Sequence, residues 1–181
     1  MAQVHADETV VILRHGEKPA LGLGQLSCQG LNRSLALPAV LLARYGTPSE
    51  IYAPNPAIKK KDKGVAYAYI RPLATIEPLA IVVGQPVNID WGMTDIRGLA
   101  KHIAARHDGT LFVAWEHHYA EKLARQLLVN LGGKPSVVPV WNDADFDSLY
   151  VVRISDTGKG RSVSFAREQE GLDNLPKVCP N

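Results

Sequence analysis

"VVILRHGEKP", Val10 to Pro19, decides how this chain is read. The β-branched run from Thr9 to Leu13 predicts a buried strand. A strand that served only the core would stop in Gly, Pro, Asn or Asp. This one stops in Arg14, His15, Gly16, Glu17 and Lys18. Open α/β sheets bind their ligands outside the carboxyl ends of the strands. The cluster therefore sits where chemistry is expected.

Two further segments share that character. "TLFVAW", Thr110 to Trp115, reads as a second buried strand and runs into Glu116, His117 and His118. "RPLATIEPLAIVVG" reads as a helix opening at Arg71, with Pro72 in its first turn and Gly84 past its end. Strand and helix alternate through most of the chain. "LNRSLALPAVLLARYG" (Leu31 to Gly46), "TDIRGLAKHIAARHDG" and "HYAEKLARQLLVNLGG" have helical spacing, and "EIYAP" and "PVNI" read as short strands. Pro38 is expected to kink or divide its helix, and Pro78 counts against the helix that opens at Arg71. "SLYVVRIS" and "RSVSFARE" close the chain as an antiparallel hairpin around "DTGKG". The pattern predicts an α/β fold: a mostly parallel central sheet with helices on both faces, a three-layer sandwich ending in an antiparallel hairpin.

With 181 residues, 46% hydrophobic and 21% charged, the chain reads as one domain over 1–181 with a flexible segment at 1–8. Net charge is +2, which gives no global drive toward nucleic acid or membrane. No apolar run approaches the roughly 20 residues of a membrane span. "VHADE", Val4 to Glu8, is compatible with the tail of a secretory cleavage site, so periplasmic or secreted and cytoplasmic placements stand level. Cys28 and Cys179 are either a disulfide or two free thiols. "IKKKDKG", Ile58 to Gly64, reads as a solvated loop, with an electrostatic funnel for an anionic substrate as its functional reading. His5, His102 and His107 read as surface residues, and Trp91, Trp115 and Trp141 as packing. Oligomeric state is not legible.

Brought to one sheet edge, Arg14, Arg71, His15 and His117 would line a pocket suited to a phosphoryl group, because guanidinium forks match phosphate oxygens. "LRHGEKP" resembles the signature of the histidine phosphatase superfamily, which includes phosphoglycerate mutases and many small phosphatases. The Arg-His-Gly motif falls on Arg14, His15 and Gly16, the second family histidine on His117, and the Arg-x-x-x-Thr helix opening on Arg71 and Thr75. The resemblance spans Thr9 to Gly133. It implies a small phosphatase in which His15 attacks phosphorus and becomes a phosphohistidine that water then hydrolyses. Arg14, Arg71 and His117 would neutralise charge on the equatorial oxygens. Lys18 and His118 would touch the substrate, a small phosphomonoester or a phosphohistidine. No cofactor and no metal is implied.

The departures concern the general acid. The serine and first arginine common after the second family strand are replaced by "APNPAIKKKDKG". His118 stands where one branch has an aspartate. Glu116 is the leading candidate for the acid, with Asp90 and Asp95 behind it. If no acid is placed, a phospho-ligand binder on the same fold becomes the alternative.

Overall fold

The computed structural model describes residues 7–106, 109–156 and 160–180. His5, His107, most of "VHADE" and the tip of the last hairpin lie outside them. The elements, in order, are β1 (Asp7–Arg14), α1 (Cys28–Tyr45), β2 (Glu50–Tyr52), β3 (Lys59–Asp62), β4 (Val65–Ala68), α2 (Arg71–Val83) and β5 (Val87–Asn88). They continue with α3 (Ile96–Ala104), β6 (Gly109–Trp115), α4 (His117–Asn130), a 3-10 turn (Pro135–Val137), β7 (Ser148–Asp156) and β8 (Arg161–Gln169). Six strands form one sheet in the order β5-β2-β6-β1-β7-β8. β5, β2, β6 and β1 pair in parallel, and β7 and β8 join antiparallel. The sandwich expected from the alternation is present.

Period-two alternation builds both faces of this sheet. Val10 and Ile12 pack with Leu99, Ile103, Leu123 and Leu127 of α3 and α4. Val11 and Leu13 pack with Leu37, Leu41, Ile76 and Leu79 of α1 and α2. A central strand buried on both sides must be apolar throughout, which is why Val10 to Leu13 carries no polar residue. Pro38 and Pro78 sit inside α1 and α2 without dividing them. Burial of the helix faces on either side of each proline outweighs the lost backbone hydrogen bond.

Three expectations are corrected. The segment 1–8 is not wholly a loose leader: Asp7 and Glu8 belong to β1, and Glu8 is buried. α1 begins at Cys28, three residues before Leu31, because the Ser27 side chain caps it by accepting from the Gly30 N–H. The lysine run is a hairpin, not a loop. β3 and β4 pair antiparallel around Lys63 and Gly64, both at positive φ (51° and 86°), as a two-residue turn of the mirror-image type requires. Periodicity did not reveal it because its strands are short and largely exposed.

Cys28 and Cys179 form a disulfide, which ties the C-terminal tail to the start of α1. Asn32 reinforces the tie by donating to the carbonyls of Pro176 and Val178. Beside it lies Arg33, fully buried and bound to Glu17, Asp147 and Glu170. Burial, with Asp147 and Glu17 nearby, pushes the Glu170 carboxyl up to about 8 even though Arg33 opposes the shift.

Candidate active site

β1 and β6 are adjacent and in register, so Arg14 pairs with Trp115 and the two strands end level. The His15 N–H donates to the Trp115 carbonyl at 3.0 Å. That single pairing places the first histidine segment beside the second. Gly16 then turns under α1, where its Cα faces Gly30. A Cβ on Gly16 would meet the Gly30 carbonyl at 2.9 Å, and one on Gly30 would meet the Glu17 carbonyl at 2.4 Å. Both positions need glycine because two backbones touch there. Thr75 joins the third segment. Its hydroxyl accepts from the Gly16 N–H at 2.9 Å and donates to the Arg71 carbonyl at 2.8 Å.

His15 is 2% exposed. Its Nδ1 lies 2.8 Å from the Gly16 carbonyl, which can only accept, so Nδ1 carries the proton and Nε2 the lone pair. Burial, with the Arg14 and Arg71 charges behind it, pushes the imidazole down to about 3. At neutral pH the ring is therefore uncharged and its Nε2 is a free base, apart from one hydrogen bond. The Tyr69 hydroxyl sits 2.9 Å from Nε2 and donates to it.

Both arginines are buried. Arg14 donates to the carbonyls of Asp143 and Asp145 and stacks over Phe146, which also borders His15. Arg71 binds the Asp62 carboxylate at 2.7 Å and lies over the Tyr69 ring. Each keeps a buried Nε–H with no acceptor among the described residues. His117 Nε2 is 2.8 Å from Asp143, and His117 Nδ1 lies 3.0 Å from Glu116 without hydrogen-bond alignment. His118 is exposed, its ring tilted against that of His117 with centroids 4.0 Å apart, and it lies 3.7 Å from the same Asp143 carboxylate. Lys18 is exposed at the rim, near enough to help hold the Asp62 carboxyl down.

Glu116 is the N-cap of α4 and accepts from the Tyr119 N–H. Burial works against its charge, yet His117 and Lys60 hold the carboxyl down at about 2. It is ionised at neutral pH and has no proton to give. Asp95 caps α3 and Asp90 is exposed in the loop after β5. Asp95 lines a mostly apolar cleft between α3 and α4 that contains none of the histidines or arginines above. Glu116 and Asp95 are thus both spent on helix caps, and Asp90 faces solvent in its loop.

Glu116, His117 and His118 present ligand atoms within 4.8 Å of one another, the one described group that could hold a metal ion. One Glu116 oxygen accepts from the Tyr119 N–H, the other lies 3.0 Å from His117, and the His117 ring sits between two carboxylates. A polar cleft of about 460 Å³ opens beside this group, lined by Lys60, Glu116, His118 and Lys122 among others. Four neighbours of the histidines and arginines were not legible in the sequence: Tyr69 and Phe146 beside His15, Asp143 beside His117, and Asp62 beside Arg71. Only the Asp62–Lys63–Gly64 turn pattern could have hinted at one of them, by announcing a hairpin.

A protein histidine phosphatase SixA solved with tungstate aligns over 90% of this chain and 97% of its own, at TM-score 0.59 and 14% identity. The chain has the histidine phosphatase fold. A SixA protein from Nakamurella multipartitia aligns over 91% and 96%, at TM-score 0.55 and 15% identity. A phosphoserine phosphatase variant from Entamoeba histolytica, solved with phosphoserine, aligns over 93% and 100%, at TM-score 0.51 and 9% identity. No protein-family model and no curated protein sequence matches the chain. In this chain β1 and β6 lie side by side at the centre of the sheet, the pairing that sets the His15 segment beside the segment that carries His117.

Proposed function

We propose that the chain is a phosphatase that passes a phosphoryl group to Nε2 of His15 and then to water. The observation that carries this is the state of His15. A buried, uncharged imidazole has its proton fixed on Nδ1 by a carbonyl, so the other nitrogen is available as a nucleophile. Arg14 and Arg71 supply charge for the equatorial oxygens, and their unpaired Nε–H groups are donors that a phosphoryl oxygen would satisfy. His117, at the first position of α4, adds a ring donor together with the partial positive charge of the helix start. Phosphoryl transfer asks mainly for positioning and charge neutralisation, and these groups provide both.

The solved relatives named as phosphatases of phosphohistidine and phosphoserine fit this chemistry. The substrate is a phosphomonoester or a phosphohistidine, approached past Lys18, Lys60 and His118. One observation favours a second reading, a phospho-ligand binder that does not turn over: the Glu116 carboxyl is ionised. Turnover of p-nitrophenyl phosphate separates the two, since nitrophenolate leaves without a proton. The decisive experiment is acid-quench trapping of ³²P on the wild type and on His15→Ala. Label on the wild type and none on the folded variant supports the reading. Turnover by His15→Ala at the wild-type rate would overturn it.

A further inference from the structure

We propose that Tyr69 is a catalytic residue, giving its phenolic proton to the leaving oxygen and later taking one from the attacking water. The inference rests on the assignment of His15 as nucleophile. It starts from geometry: the Tyr69 oxygen is 2.9 Å from Nε2, the atom that would attack phosphorus. In a reactive complex phosphorus must come to roughly that distance from Nε2. The hydroxyl therefore has to yield its place to the phosphoryl group, and it stays beside that group and its substituents as the hydroxyl that was hydrogen-bonded to the attacking nitrogen.

Its surroundings suit a proton shuttle. The ring is 4% exposed and meets His15 edge-on, with centroids 5.8 Å apart. The Arg71 guanidinium lies 4.6 Å over the ring and the Lys60 ammonium 5.0 Å from its centroid. Two cations beside a phenol steady the phenolate that forms when the proton leaves. Burial pushes the hydroxyl up to about 12, so it holds its proton at neutral pH. The carboxyls near it are differently placed. Asp62 is paired to Arg71 and Glu116 caps α4, and both are held in the ionised range.

The two half-reactions balance. First, the Nε2 lone pair forms the N–P bond, the P–O bond to the leaving group breaks, and the Tyr69 proton passes to that oxygen. A tyrosinate and a phosphohistidine remain. Second, water attacks phosphorus while the tyrosinate takes one of its protons. The N–P bond breaks, its electron pair returns to Nε2, and inorganic phosphate departs.

Tyr69→Phe keeps the ring and its contacts with the cations and removes only the proton. Its kcat/KM is to be compared with wild type on an alkyl phosphate and on p-nitrophenyl phosphate. The expected result is a loss of roughly 10²-fold or more on the alkyl ester and only a few-fold on the nitrophenyl ester. An equal loss on both would make Tyr69 a positioning residue and overturn the proposal. A gain on both would make it only a plug on Nε2, with the same consequence. If wild type turns over neither ester and takes no label on His15, the nucleophile assignment falls, and the tyrosine assignment falls with it.

Discussion

Asp62 and Arg71 form a 2.7 Å ion pair that places a carboxylate of the β3–β4 hairpin on one of the two arginines proposed to bind phosphate. The Gly24 N–H also donates to Asp62, and Arg71 reaches the Gly22 carbonyl. The hairpin is thereby anchored to Arg71 and the Gly22–Gly24 turn through a group with the charge of a ligand. Burial alone would raise the Asp62 carboxyl, but Arg71 outweighs it and keeps the group ionised.

An anion that competes with substrate should weaken substrate binding. Asp62→Asn is expected to lower the KM for a phosphomonoester, and the inhibition constant of inorganic phosphate, by about threefold to tenfold, a modest gain because desolvation offsets most of the attraction within a buried ion pair. Steady-state kinetics with phosphate as inhibitor checks this. A raised KM would instead mean that Asp62 positions Arg71.

Glu116 is expected to act as a cap and charge partner. Glu116→Gln should slow alkyl and nitrophenyl phosphates by similar factors, because no proton transfer is lost. Glu116→Ala should cost about 1 kcal/mol of stability through the lost N-cap. Parallel kinetics on the two esters, with thermal melts of both variants, test the pair of expectations. A selective loss on the alkyl ester would return Glu116 to the role of acid.

His15 should govern part of the acid sensitivity of the fold. Its folded value, about 3, lies below the ordinary 6.5. Above pH 6.5 folded and unfolded chains are both neutral at this ring, so it exerts no effect there. Below 6.5 the unfolded chain binds a proton that the buried ring refuses, and stability is lost progressively toward pH 3. The loss attributable to this ring should reach about 3 kcal/mol by pH 4. Denaturant titrations of wild type and His15→Gln between pH 4 and 8 should show a flatter acid limb for the variant. Coincident slopes would mean that the ring is not held neutral.

The disulfide closes a separation of 151 residues, so its removal relaxes much of the unfolded chain. Cys28→Ser is expected to cost about 2–5 kcal/mol. Treatment of the wild type with a reductant should bring its midpoint toward that of the variant. Chemical denaturation with and without dithiothreitol measures both. A reductant effect on Cys28→Ser as large as on wild type would assign the change to something other than this bond.

The sequence by itself determined the layers and the place of the chemistry. Unbroken apolar runs at Val10–Leu13 and Leu111–Trp115 can only be central strands, since their side chains alternate between two buried faces. The residues that follow them must then emerge at the edge where ligands bind. Tertiary structure decided what each of those residues touches. Tyr69 meets His15 across 54 positions, Asp143 meets His117 across 26, and Arg33 meets Glu170 across 137. The disulfide likewise joins two distant cysteines whose pairing the sequence left open. No local period records such contacts. They arise where a short polar hairpin, an acidic loop and the C-terminal tail fold back over the sheet edge. The physical reason is one of range: burial patterns repeat every two or 3.6 residues and can be read along the chain. The partner of a buried polar group is chosen by proximity in space, once the topology is complete.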